Sequence, residues 1–315
     1  MDSNNKDVQY ILVPQEQMPE SSKVDEINLL EIWNIVLKGK WLIILMTVFF
    51  AVCSVLYALS IPNSYKSEML LVPSQNDGKG SLGGLASQFG GLASLAGVNL
   101  GGNESSRIDQ AVERLISWPF LNKFVADHNL KAIIVAVKGW DASKNELIYN
   151  EDIYNPETKA WIGNNEPTSW KTYRKLKTML SISNDPKTGM LTIAVEHYSP
   201  QIAYEWVNLL KADINLLYQQ YDMQESRKNI EYLKSKIETT NINEMKSVFY
   251  NMIEAQTQTL MLAEVSDEYL IKTVVPAMVA EEKSKPRRAF MCILGTLMGF
   301  ILGLLIIFIR HFFKK

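Results

Sequence analysis

The chain has 315 residues, enough for one large or two ordinary domains. Its 32 Lys+Arg against 34 Asp+Glu leave a net charge of −2, without the basic excess of a nucleic-acid binder, so no nucleic-acid partner is expected. The mean hydropathy of −0.05 is that of a soluble protein, but the average conceals two windows that hold much of the apolar content.

Residues 1–24 are polar with few large apolar side chains and are expected to form a disordered tail. From Val24, the spacing of Ile27, Leu30, Ile32, Trp33, Val36 and Leu37 predicts an interfacial helix ending near Lys40. Trp41 to Ile61 is then a 21-residue run without charge, and Ala289 to Ile309 is a second. At 1.5 Å per residue each helix would extend about 32 Å, matching a hydrocarbon core of about 30 Å. Forty residues precede the first run and no small-residue cleavage site follows, so it reads as a span and not as a signal peptide.

Two spans leave residues 62–288 on one side and both termini, 1–40 and 310–315, on the other. Lys23, Lys38 and Lys40 outnumber Lys66 and Lys79 around the first span and favour an inside N-terminus. Around the second span the balance runs the other way, with Lys272, Lys283, Lys285, Arg287 and Arg288 against Arg310, Lys314 and Lys315. The first helix usually sets orientation, and long loops translocate largely regardless of charge, so the large loop is expected to be exported. Cys53 and Cys292 both fall within the runs and leave that loop without cysteine.

Within the loop, SYKSEMLLVP predicts a strand ended by Pro73. Residues 78–102 carry nine of the sixteen glycines and two copies of GGLAS, yet keep Leu82, Leu85, Phe89 and Leu92. They predict a mobile loop that docks. Arg107 to Leu130 has helical periodicity that Pro119 should kink or divide. Residues 139–175 gather Trp140, Tyr149, Tyr154, Trp161, Trp170 and Tyr173, which either pack or stack on sugar rings. DPKTG between Met179–Ser183 and Met190–His197 predicts a β-hairpin, and Ser199-Pro200 a helix start.

From Pro200 a heptad stripe runs through Val207, Leu210, Ile214, Leu217 and Tyr221. It breaks phase near the polar run from Gln219 to Asn229 and resumes at Ile230, Leu233 and Ile237. This predicts a seam for an oligomer contact or for a helical hairpin over 200–264, closed by a second helix from Glu244 to Glu264. Tyr269–Val275 reads as a returning strand. The fold class expected is α+β, with two transmembrane helices flanking an α/β base domain that carries the hairpin.

Catalytic signatures are missing. Neither Gly39-Lys40 nor Gly78-Lys79 has P-loop context, no GxSxG occurs, and His128, His197 and His311 lack the spacing of a metal site. The expectation is a non-enzyme without cofactor or metal. Gly295, Gly299 and Gly303 lie four apart on one face of the second span and predict close helix packing. Lys283, Lys285, Arg287 and Arg288 suit phosphate of lipid headgroups or of a lipid-linked substrate.

Long stretches of the chain resemble the Wzz chain-length determinants, the polysaccharide co-polymerases of the Gram-negative inner membrane. They are INLLEIWNIVLKGKW, YKSEMLLVP, HYSPQIAYEWVNLLKADIN, IEYLKSKIETT and LAEVSDEYLIKTVVPAMVAEEKSKPRR. In the family's juxtamembrane pattern Pro276 matches the first proline, while Val279 stands in place of the second. Ser284-Lys285-Pro286-Arg287, followed by Arg288, resembles a Ser-Pro-Lys element with one residue inserted. Gly299 and Gly303 match two glycines and Phe300 replaces a third.

The resemblance implies a non-enzymatic scaffold in the inner membrane with its large domain in the periplasm. It implies a ring-like homo-oligomer in contact with membrane lipid that acts with the O-antigen polymerase on undecaprenyl-pyrophosphate-linked polysaccharide and sets lipopolysaccharide O-antigen modal length. The alternatives are a co-polymerase for enterobacterial common antigen or another surface polysaccharide, and a two-span membrane sensor. The short flanks, 40 and six residues, are expected to leave no room for a signalling or kinase domain.

Overall fold

The computed structural model describes residues 33, 37, 39–74 and 104–313. The expected N-terminal tail, nearly all of the interfacial helix, and the Gly-rich segment 78–102 lie outside them. The chain divides into two compact units, one holding the two apolar helices and the other comprising Leu59–Arg287.

In the first unit, α1 (Lys40–Ser60) and α8 (Arg288–Phe312) are long and apolar enough to cross a membrane, with windows only 11% and 17% buried. Trp41, Leu45, Leu56, Ile293 and Met298 are all more than half exposed. Apolar helices left this bare would be unstable in water and are suited to lipid.

The second unit is built on a four-stranded antiparallel sheet. Its strands are β1 (Tyr65–Pro73), β6 (Leu180–Asp185), β7 (Met190–His197) and β8 (Ile271–Val275), in the order β6-β7-β1-β8. Register places Ser67, Met69 and Leu71 opposite Val195, Ile193 and Leu191, all buried, so one face of both central strands forms the core. That is the period-two rule of a half-covered sheet. The β6–β7 turn is DPKTG: Gly189 takes φ 68° and donates its N–H to the Asp185 carbonyl at 2.8 Å, while Asp185 Oδ1 accepts from Lys187 N at 2.9 Å.

Helices cover this face. The predicted 107–130 helix is divided, into α2 (Glu104–Leu115) and α3 (Trp118–Asp127), with Pro119 in the first turn of α3 where a missing N–H costs nothing. After α4 (Lys131–Val135), the polar aromatic stretch forms two small hairpins. These are β2 (Val137–Asp141) with β3 (Glu146–Tyr149), and β4 (Tyr154–Asn155) with β5 (Ala160–Trp161). Then α5 (Ser169–Met179) starts at Thr168, whose side chain accepts from Lys171 N at 3.3 Å.

The long helix α6 (Pro200–Thr239) begins at the N-cap Ser199 and is followed by α7 (Asn243–Val265). Its stripe serves two purposes. Ala203, Trp206, Val207, Leu210 and Ile214 are fully buried in the base core beside Met69, Leu71 and Ile193. Val207, Leu210 and Ile214 thus pack into the base core. Farther on, Asn215, Ser226 and Leu233 are buried, Leu217, Ile230 and Ile237 are half-buried, and Tyr221 is 60% exposed.

The phase break has a structural cause. Where α6 passes the end of α7 and the start of β8, its facing positions are polar. Buried Asn215 accepts through Oδ1 from Leu270 N at 2.8 Å and Ile271 N at 3.0 Å, and donates to the Ile271 carbonyl at 3.2 Å. One turn on, Gln219 donates to the carbonyls of Ala263 at 2.5 Å and Ser266 at 3.4 Å. Asp222 then accepts from Tyr269 Oη at 2.5 Å and pairs with Arg107. Burial, and the hydrogen bond to Asp222, raise the Tyr269 phenol well above its ordinary range. Replacing Asn215 with Leu leaves two buried N–H groups unpaired. It is expected to cost roughly 2–4 kcal/mol, measured as a lower urea midpoint of the detergent-solubilised protein.

His197, at the end of β7, is buried against Trp206, and its Nδ1 accepts from Ser199 N at 3.0 Å. Burial lowers its pKa from 6.5 to about 4, so the folded ring is neutral where the unfolded one is charged. This contribution to stability is complete above about pH 6.5 and is lost as pH falls toward 4. The urea midpoint should drop between pH 7 and pH 5, and His197→Phe, which cannot take up a proton, should shrink that drop.

Candidate functional site

Three places gather the residues singled out from sequence. The first is the glycine face of α8. A Cβ built on Gly299 would stand 2.7 Å from Phe50 Cβ and 3.0 Å from the Met46 carbonyl oxygen, and one on Gly303 would stand 3.1 Å from Ile43 Cα. A Cβ on Gly295 would collide with Ser54. Ile43, Met46, Phe50 and Ser54 trace one face of α1, so the glycines let two backbones approach where any side chain would hold them apart. Gly299 and Gly303 are buried although most of their helix is not.

The second is the pair of segments that continue in sequence from α1 and into α8. Ser64 donates its N–H to the Lys285 carbonyl at 2.9 Å and accepts from Ser284 N at 2.8 Å, an isolated antiparallel bridge. Glu196 on β7 locks it from the side: Ser64 Oγ donates to Oε1 at 2.5 Å and Lys285 Nζ to Oε2 at 2.6 Å. Ser67 Oγ donates to the Met278 carbonyl at 2.8 Å, a further tie between outgoing and returning chain. Pro286 is buried, whereas Pro276 and Arg287 are exposed and Arg288 is half-buried. Thus Ser284 belongs to the bridge, Pro286 is buried directly after it, and Pro276 stands apart from it just after β8.

The third is the hairpin surface, where Tyr221, Tyr232, Tyr250 and Met261 are each about 60% exposed and Val265 is 84% exposed. Glu196 and Asn215 were not singled out from sequence, although one polar residue inside the apolar stripe of α6 is the signal that marks Asn215. The aromatics of 139–175 mostly meet one another or the base. Tyr65 meets Trp140 edge-on at 5.5 Å, Tyr154 meets Trp161 at 5.0 Å, and Trp170 lies tilted on Tyr173 at 5.2 Å. Among the described residues no cluster of His, Cys, Asp or Glu has the grouping to hold a metal ion, and His128 pairs with Asp213 at 3.0 Å.

Residues 25–126 match the family described as Wzz, chain length determinant protein, a stretch that takes in α1, β1, α2 and all but the last residue of α3. By that match the chain is similar to the Wzz chain length determinants. Among solved structures, the similar ones include a full-length bacterial polysaccharide co-polymerase. It is 13% identical, with 91% of this chain and 98% of that one covered, and a TM-score of 0.38. Another is a fragment of WzzB, a polysaccharide co-polymerase from Salmonella Typhimurium. It is also 13% identical, with 71% and 100% covered and a TM-score of 0.30. No curated protein matches the chain in sequence. The Wzz match includes Ile43, Met46, Phe50 and Ser54, the α1 face on which the glycines rest, together with Ser64 of the bridge.

Gly299→Leu is expected to disturb the α1–α8 pair by about 1–3 kcal/mol, the usual cost of overpacking. The measurement is an earlier loss of helical signal on heating in detergent, with Leu297→Ala, an exposed position on the same helix, melting as the unmodified protein does.

Proposed function

We propose that this protein is a non-enzymatic polysaccharide co-polymerase that sets the modal length of lipopolysaccharide O-antigen at the bacterial inner membrane. The observation that carries this reading is the Wzz match over residues 25–126. The two bare apolar helices agree with it. In this reading both helices cross the bilayer, residues 62–288 lie in the periplasm, and both termini are cytoplasmic.

Control of polymer length without a catalytic group has to come from holding and counting, which calls for a scaffold of several copies. The exposed Tyr221, Tyr232, Tyr250, Met261 and Val265 supply apolar surface for contact between hairpins, in a ring-like homo-oligomer. The partners in this reading are the O-antigen polymerase and its undecaprenyl-pyrophosphate-linked glycan. Lys283, Arg287 and Arg288 lie at the sequence boundary of α8, where cations would meet lipid phosphate.

Deleting the gene and separating lipopolysaccharide on a gel is expected to replace a clustered ladder with one of unregulated lengths. An unchanged ladder alongside altered enterobacterial common antigen or capsule would assign the protein to that polymer instead.

A further inference from the structure

Beside the sheet, α3, the residues following it, α5 and the β4–β5 hairpin enclose a cleft of about 520 Å³. That is within the range of small-molecule sites, roughly 300–1,000 Å³. Its walls include Asn122, Asn129, Tyr154, Lys159, Trp161 and Tyr173. Two kinds of group meet there. Tyr154, Trp161 and Tyr173 supply aromatic surface, with Trp161 only half-buried. The amides of Asn122 and Asn129, and the exposed ammonium of Lys159, have no side-chain partner among the described residues. The other lining lysine, Lys131, is already paired with Glu166 at 2.6 Å. The hydroxyl of buried Thr172 is satisfied by the Thr168 carbonyl at 3.2 Å.

Half-buried Trp161 and Tyr173, half-buried Asn122 and exposed Asn129 converge on one concavity. An aromatic face binds the C–H face of a pyranose, and amides both donate to and accept from its hydroxyls. The backbone also favours this arrangement: Asn129 takes φ 54° at the end of α3 and Lys159 takes φ 52° in the β4–β5 turn, left-handed conformations that bring both residues to the cleft's edge. With one uncommitted cation, the cleft suits a neutral sugar or one carrying a single acidic group.

We propose that this cleft is a glycan-binding subsite that holds one or two sugar residues of the growing polysaccharide, with Trp161 as the stacking surface and Asn122 and Asn129 as hydroxyl-reading groups. The inference rests on the polysaccharide reading above and adds the place on the chain where the polymer is held.

The test uses the full-length protein in detergent. The probe is soluble O-antigen fragment released by mild acid from lipopolysaccharide of cells carrying the gene, and binding is followed by saturation-transfer NMR and calorimetry. Trp161→Ala and Asn129→Gly are each expected to weaken binding at least tenfold. Asn129→Gly removes the amide while glycine accepts φ 54° without strain, so this variant should fold even if Trp161→Ala does not. Trp170→Ala, at an exposed residue that does not line the cleft, should bind within twofold of the unmodified protein. Fragment binding that neither variant weakens, or no binding by the unmodified protein in a strain whose ladder depends on the gene, overturns the cleft while leaving the function intact. A ladder indifferent to the gene overturns the function itself.

Discussion

The base holds together through the polar edge of one helix. Asn215, Gln219 and Asp222, one turn apart on α6, take up backbone groups of the Ala263–Ile271 turn and the Tyr269 hydroxyl. A side-chain amide paired with three backbone groups of one short segment works as a substitute strand. It satisfies the N–H groups of Leu270 and Ile271, which would otherwise be buried without partners. Because β8 begins at Ile271, this contact sets where the returning chain joins the sheet. Lys211 extends it, with Nζ donating to Glu268 at 3.0 Å and to Thr273 Oγ1 at 3.2 Å.

The same row of residues explains why the apolar stripe of α6 could be traced in the sequence but not assigned. Val207, Leu210 and Ile214 have the spacing of a coiled-coil seam, and periodicity alone does not say what lies across it. Their partners are β1, more than a hundred residues upstream, and β7, which directly precedes α6, and the local pattern does not show that the chain folds α6 back onto the sheet these strands form. The phase break was visible as a polar run, and its function became clear only with the turn from α7 to β8 packed against it. Local chemistry was more readable. Ser199-Pro200, DPKTG and Pro119 mark a helix start, a hairpin and a division between helices, because each acts through its own backbone.

The candidate sites divide along the same line. Gly295, Gly299 and Gly303 are legible because a four-residue repeat of the smallest residue in an apolar helix has a direct steric meaning. Glu196 is not, since it is one carboxylate among 34 acidic residues, and its importance arises from meeting Ser64 and Lys285 across 132 and 89 residues. Nor does any short pattern predict that Asn122 and Trp161 share a wall, because α3 and the β4–β5 hairpin meet only in the folded base.

The placement of β1 between β7 and β8 carries a cost in time. Tyr65 pairs with His197 and Pro73 with Ile271, so the central strand of the sheet has its neighbours more than a hundred residues downstream. Closing loops of that length precedes the gain from pairing, and such topologies fold slowly. A ribosome emitting this polypeptide must release almost all of it before the sheet can be completed. Until then, Met69 and Leu71 remain uncovered, and a nascent molecule at this stage depends on whatever shields apolar strands around it.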